Sequence, residues 1–193
     1  MTHELPDLRI KFCPMCGSTV SREIPDGDDH LRHVCHNCGN IQYQNPKVVV
    51  GCIPEWEDRI LFCRRDIEPQ RGKWTLPAGF MENGETAAEG AKRETWEEAG
   101  SRVRIIAPYR LYDLPFVNQV YVMFRASMLN ADFRTTQESS EVRLMEEKNV
   151  PWKEIAFPVI RETLKSYFKD RRAGRFEFLN LELMPEKLRH GTS

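Results

Sequence analysis

Apolar positions in this chain follow two different periods. Over 47–53 and 59–63 they run almost unbroken and rich in β-branched types, on either side of the polar Glu55-Trp56-Glu57-Asp58. Two such runs about a short polar break predict a hairpin. More strands are expected at 103–107, 109–114, 119–126 and 142–145, the last preceded by a polar segment over 135–141. Between the first hairpin and these strands the period becomes helical. Thr86 with Glu89 reads as a capping box and Gly100 as a helix stop. Ala88, Ala91, Thr95 and Ala99 form a stripe of small residues suited to close packing on a sheet. Residues 151–157 read as a turn and 158–169 as a second helix, with Ile160, Leu164, Tyr167 and Phe168 on its apolar face. The alternation over 175–183 fits a late strand or a partner-binding tail. Strands on both sides of one helix, with another helix near the end, predict an α/β fold with a mixed sheet between helices.

The first helix has a second face. Glu94, Glu97 and Glu98 are surface neighbours at i, i+3 and i+4, and Ala87 and Gly90 on that side leave room above them. Like charges gathered this way repel unless a cation sits among them. Hard divalent cations take carboxylate oxygens, and Mg²⁺ is held by a few carboxylates together with substrate phosphates. The bland alternative is a solvated acidic face. The wider spacing favours chemistry: Gly79, Glu85, Arg93-Glu94, Glu97-Glu98 and Gly100 fit G-x5-E-x7-R-E-U-x-E-E-x-G-U at every fixed position. This stretch resembles the box of the Nudix hydrolases. Only Thr95 and Ser101 depart from it, at the U positions where large aliphatic residues are usual.

Composition narrows the setting. A chain of 193 residues, 40% hydrophobic and 30% charged, suits one domain plus a small module. Net charge of −1 supplies no global field toward nucleic acid or anionic membrane. No apolar run approaches the roughly 20 residues of a membrane helix, and the N-terminus lacks a signal peptide's pattern, so a cytoplasmic location is expected. Of six cysteines, four form Cys13-Pro14-Met15-Cys16 and Cys35-His36-Asn37-Cys38, 18 residues apart, which is the spacing of a structural zinc ribbon. A hairpin of 19–23 and 31–34 is expected between the pairs. His30, His33 and His36 are read as bystanders, and Cys52 and Cys63 as buried thiols. The ribbon has no basic stripe or interleaved aromatics, so nucleic acid is not expected as a partner. The boundaries expected are a ribbon over 1–43, a hydrolase domain over 44–171 and an extension over 172–193.

The resemblance implies an α/β/α sandwich and metal-dependent hydrolysis of a nucleoside diphosphate linked to another group. By that likeness Glu94, Glu97 and Glu98 would bind catalytic Mg²⁺ or Mn²⁺ with the carbonyl of Ala78 or Gly79. Glu97 would alternatively orient water, and Arg93 and Glu85 would brace loop and helix. Family members often add a carboxylate from a later loop as metal ligand or general base; Glu141 is the expected residue, with Glu138 in reserve. A zinc ribbon before the domain, Ala78-Gly79-Phe80 and Tyr43 are similar to the NADH pyrophosphatases, which makes Tyr43 and Phe80 substrate-contact candidates. In place of that group's S-Q-P-W-P-F-P-x-S stretch the chain has Leu114-Pro115-Phe116-Val117-Asn118-Gln119. A closer likeness, through Glu23-Ile24-Pro25-Asp26-Gly27, Tyr43-Gln44-Asn45-Pro46-Lys47 and Arg93-Glu94-Thr95-Trp96-Glu97-Glu98-Ala99-Gly100, is to the chloroplast FAD pyrophosphatases of plants. It implies FAD, cleaved to FMN and AMP, or ADP-ribose as substrate. NADH is the alternative substrate, and a non-catalytic nucleotide- or RNA-binding protein the alternative class. Relatives of this kind often form homodimers.

Overall fold

The computed structural model describes residues 10–184, and the chain divides into two compact units, 1–46 and 47–193. The first unit is a three-stranded antiparallel sheet of β1 (Ser21–Glu23), β2 (Arg32–Val34) and β3 (Ile41–Gln42). Its hairpin agrees with the expected one. The two-residue β3 escaped the sequence because a strand that short has no period to read.

The second unit is built on a mixed sheet. Its strands are β4 (Lys47–Trp56), β5 (Arg59–Arg65), β6 (Trp74–Thr75), β7 (Ala78–Phe80), β8 (Val103–Leu114), β9 (Gln119–Met128), β10 (Ser139–Met145) and β11 (Leu179–Glu182). The spatial order is β10-β5-β4-β9-β8-β11, with β6 beside β5 and β7 beside β4. The pairs β4–β9 and β8–β11 are parallel and the remaining pairs antiparallel. β4 and β5 turn tightly at Glu57-Asp58, where Trp56 pairs with Arg59 and Glu57 adopts a φ of 55°.

Helices cover both faces. α1 (Ala87–Ala99) packs against Val50, Cys52, Leu61, Cys63, Phe124 and Ala126. α2 (Pro158–Ala173) lays Ile160, Leu164, Tyr167 and Phe168 on Ile53, Phe62, Tyr109 and Met123. Neighbours along one strand, such as Cys52 and Ile53, therefore serve opposite cores, which is why β4 and β5 read as continuous apolar runs. This is the expected α/β/α sandwich. No helix among the described residues is long and apolar enough to cross a membrane.

Four details differ from the expectation. The strands at 103–107 and 109–114 are one, β8, with register shifts on either side of Pro108; proline cannot donate to a ladder and is accommodated at such irregularities. The polar segment over 135–141 contributes its last three residues to β10. α2 continues four residues further, to a left-handed Gly174. Residues 179–182 form an edge strand whose residues are all exposed, so the late segment belongs at least partly to the sheet.

Gly51 marks where β4 must accept β7 at close range. A Cβ there would lie 2.5 Å from Ala78 Cβ and 2.7 Å from the Pro77 carbonyl oxygen. Backbone cannot give way as a flexible side chain can, so Gly51→Ala should lower unfolding free energy by about 1–3 kcal/mol. Denaturant unfolding measures this, and unchanged stability would contradict the packing described.

Candidate active site and metal centres

In the first unit the two cysteine pairs form matching knuckles. Gly17 and Gly39 both have a φ of 73°, and their N–H groups donate to the Cys13 and Cys35 carbonyls at 2.9 and 2.8 Å. The four Sγ atoms lie within 4.8 Å of one another, with Cys13–Cys38 at 3.6 Å and Cys16–Cys35 at 3.5 Å. Disulfide sulfurs would be about 2 Å apart. Tetrahedral zinc with bonds of about 2.3 Å places its sulfurs just under 4 Å apart. The donor set and its geometry fit zinc. His30 is taken up by Asp28 and Asp29, and His36 by Ser21 and Glu23.

In the second unit α1 begins with the expected capping box, Thr86 and Glu89 bonding reciprocally, and ends at Gly100 in the left-handed conformation. Ala91, Thr95 and Ala99 are fully buried, so the small stripe seats the helix against the strands. Two buried thiols pin it further: Cys52 Sγ donates to the Ala91 carbonyl at 3.4 Å and Cys63 Sγ to that of Glu98 at 3.8 Å. Gly90 does not leave room above the carboxylates. A Cβ there would meet Glu85 Oε1 at 2.6 Å and Val50 Cγ2 at 2.8 Å, so this glycine permits close packing instead.

Arg93 is the hub of the acidic stretch. It grips Glu85 with Nε and Nη2 at 3.0 and 2.8 Å. Its Nη1 reaches Glu94 at 2.8 Å and Glu97 at 2.7 Å, and Nη2 also donates to the Phe80 carbonyl at 3.1 Å. Glu85 closes the turn by accepting the Glu82 N–H at 2.8 Å. The Arg93 guanidinium and then that N–H hold the Glu85 carboxyl down to about 2.

Glu98 is the opposite case. It is 5% exposed, and its Oε2 has no hydrogen-bond partner. Burial, then the Glu94 charge, pushes its carboxyl up to about 8, although Arg65 and the Ala78 N–H draw it back. Glu94, also buried, is raised by burial even with Arg93 beside it. Its carboxyl lies against Gly79, where a Cβ would come within 2.4 Å of the carboxylate atoms. Two buried carboxylates, one oxygen of them unpartnered, thus meet the backbone of 78–79. That arrangement suits a hard divalent cation taking oxygen ligands. Glu97 is half-exposed and turned to Arg93.

The later carboxylates separate. Glu141 lies on β10 opposite Arg64 and faces arginines, with Arg64 Nη1 at 3.4 Å and Arg143 on its other oxygen. Glu138 precedes β10 in a loop tied to α1, since Thr136 Oγ1 donates to the Glu98 carbonyl at 3.3 Å. Glu138's charge helps raise both Glu94 and Glu98. Arg65, next to this loop and acting on Glu98, went unnoticed in the sequence because nothing local marks it. Phe80 is 49% exposed with Lys47 Nζ 4.9 Å from its ring centroid. Tyr43, in the first unit, is 54% exposed under the Arg32 guanidinium at 5.0 Å.

Comparison with known proteins agrees with this geometry. A family profile described as "NUDIX domain" matches residues 45–167, and a zinc-ribbon profile described as "Nudix N-terminal" matches residues 11–44. The crystal structure of a NUDIX hydrolase from Nitrosomonas europaea is 53% identical, with a TM-score of 0.87 over 90% of this chain and 99% of that one. The chain is also similar to an NAD-capped RNA hydrolase, NudC, of Photobacterium profundum, 28% identical over 158 residues, covering 79% of this chain and 58% of that protein. An ADP-ribose pyrophosphatase of Methanocaldococcus jannaschii is 27% identical over 113 residues, 56% of this chain and 67% of its own. The chain therefore spans little more than half the length of the NudC relative.

Two outcomes follow. Elemental analysis should find about one zinc per chain, absent from Cys35→Ser. In protein freed of added Mg²⁺ and Mn²⁺, the folded state holds a proton on Glu98 up to about pH 8 that the unfolded chain releases near pH 4.5. The folded state then binds more protons over that window, so stability falls as pH rises through it. Unfolding measured between pH 5 and 8 should show this fall, and Glu98→Gln should flatten it. An equal slope in both proteins would contradict the burial of this carboxyl.

Proposed function

The chain belongs to the NUDIX hydrolase family, with a Nudix zinc ribbon ahead of the NUDIX domain, and on that premise we propose that it hydrolyses the diphosphate of an ADP-linked compound, with FAD and ADP-ribose as the first substrates. The observation that carries this reading is the convergence of Glu94 and Glu98 on the backbone of 78–79, with Glu98 Oε2 buried and unpartnered. An intact acidic set of this kind argues against a purely binding protein built on the same fold.

Glu94, Glu97 and Glu98, with the carbonyl of Ala78 or Gly79, would hold Mg²⁺ or Mn²⁺. Such an ion neutralises phosphate oxygens and lowers the pKa of bound water. The chain's own residues divide the remaining tasks. Arg93, bonded to Glu85, Glu94 and Glu97, bridges the carboxylates, offsets their mutual repulsion and keeps the loop closed. Glu138 is the better candidate for general base than Glu141, because its charge reaches Glu94 and Glu98 while Glu141 is neutralised by arginines. Water attacks one phosphorus and gives its proton to that base. The bridging P–O bond breaks, and its electron pair leaves with the second phosphate. From FAD the products are FMN and AMP. Phe80, an exposed aromatic beside Lys47, is a candidate to stack on the substrate's rings.

A second substrate reading, NADH or a nicotinamide dinucleotide at the end of an RNA, is supported by the name of the Photobacterium relative. A panel of FAD, NADH, ADP-ribose, CoA and diadenosine polyphosphates with Mg²⁺ or Mn²⁺ separates the readings by product. Hydrolysis of none of them would overturn the proposal. Glu98→Gln and Glu97→Gln should each lower kcat by about two orders of magnitude or more while the melting profile stays cooperative. Glu138→Gln should cost more rate than Glu141→Gln, and the reverse ranking would return the base to Glu141.

A further inference from the structure

The outer side of α1, turned away from Glu94 and Glu98, is organised around Trp96. This indole is 38% exposed, and two guanidinium groups converge on it, Arg102 with its Cζ 5.0 Å and Arg134 with its Cζ 4.7 Å from the ring centroid. The three residues come from separate segments: α1, the turn into β8, and the loop after β9. Backbone hydrogen bonds lock those segments together, Leu129 N–H to the Arg102 carbonyl at 2.9 Å and Arg134 N–H to the Ala99 carbonyl at 2.8 Å. The stem of Arg134 crosses Gly100 so closely that a Cβ there would lie 2.5 Å from its Cγ. Gly100 thus ends the helix and also admits this arginine.

Neither guanidinium has a carboxylate partner among the described residues, whereas Arg32, Arg59, Arg93, Arg110 and Arg125 all have one. Lys92, exposed one turn before Trp96, adds a third positive charge to the same side of the helix. Of the acids nearest in sequence, Asp132 is held by the Asn130 amide, Glu97 by Arg93, and Glu89 by the capping box, where the Lys92 charge also acts on it. Cation–π attraction at an exposed site is worth about 0.5–1 kcal/mol per pair. It orients the two arginines without neutralising them. Held like charges beside an exposed aromatic ring form the combination that receives a single-stranded polyanion whose bases can stack.

We propose that this surface binds single-stranded RNA, with phosphates on Arg102, Arg134 and Lys92 and a base against the Trp96–arginine stack. Only the purpose of the contact rests on the function proposed above: α1 is about 10–12 Å across with its side chains, so a strand whose 5′ end is a dinucleotide held at Glu97 and Glu98 can pass over the helix onto Trp96. The binding itself stands apart from that reading.

Fluorescence anisotropy with a 5′-labelled 20-nucleotide oligo(U), without divalent ions and between 50 and 200 mM KCl, tests it on the full chain. The double variant Arg102→Glu/Arg134→Glu should weaken binding at least ten-fold. It should also lower the slope of log affinity against log salt by about 1.4, for two phosphates at about 0.7 each on a single strand. Trp96→Ala should weaken binding about ten-fold through lost stacking. Arg171→Glu/Arg172→Glu carries the same change of charge on α2 and should bind like wild type. All three should hydrolyse a free dinucleotide with wild-type kcat and KM. Failure of the wild type to hydrolyse any dinucleotide would overturn the proposed function and leave the RNA measurement to decide this surface. The surface proposal is overturned by absence of RNA binding at 50 mM KCl, by equal loss in the α2 control, or by binding to phosphatidylserine vesicles in place of RNA at the same salt.

Discussion

Glu94 and Glu98 project from the sheet side of α1, where water is scarce, and ionised carboxylates so placed would drive the helix off the strands. The fold answers this in two ways. Arg93 stands among Glu85, Glu94 and Glu97 and draws their charge toward the solvent side of the turn. Glu98, beyond its reach, keeps a proton instead, its carboxyl raised to about 8 by burial and by Glu94. The cost of burying acid is therefore met by one ion-pair hub and one protonation, and the second is reversible. A divalent cation held at this place would take over from that proton. Metal affinity and protonation would then compete for the same oxygen, as for any site whose ligands must be deprotonated.

That competition works only if the helix cannot move away. Three fully buried small residues, Ala91, Thr95 and Ala99, bring its axis close to β4 and β5, and two thiol hydrogen bonds fix its position along them. Glycines at 51, 79 and 90 permit the approach of β7 and α1, each occupying a place where a methyl group would collide with backbone or carboxylate. α2 closes the opposite face with large side chains, Tyr167, Phe168 and Leu164 among them. One face is packed with small residues to bring charge near, and the other with large ones to supply stability. The two cores divide the work of a single sheet.

Much of this is legible in the sequence because it is local. The capping box at Thr86, the left-handed Gly100, the small stripe of α1 and the matched cysteine knuckles each depend on residues a few positions apart, and each appears where the spacing places it. What escapes is whatever depends on register between distant strands. Glu141 and Glu138 are three residues apart, and the sequence alone puts Glu141 first with Glu138 in reserve. The register of β10 on β5 sets Glu141 opposite Arg64 and leaves Glu138 near α1. Gly90 looks like open space above an acidic face until Val50 is brought against it. Arg65 carries no local signal at all, since its effect on Glu98 arises from the same strand pairing.

The Trp96 cluster follows the same logic on the other side of the helix. A chain with net charge of −1 and no basic run offers no hint of a cationic surface, because the hint would have to come from residues 96, 102 and 134 together. The turn after Gly100 and the loop after β9 create the surface by converging on one indole. The two buried acids of α1, Glu94 and Glu98, thus lie on its sheet side, while Lys92, Arg102 and Arg134 lie on the solvent side. Such a separation would draw the far part of a long anionic ligand onto the cationic side. Binding and chemistry would then be coupled through the metal: a strand settled on the outer surface would bring its diphosphate toward Glu94 and Glu98, where a cation replacing the Glu98 proton would offset the phosphate charge.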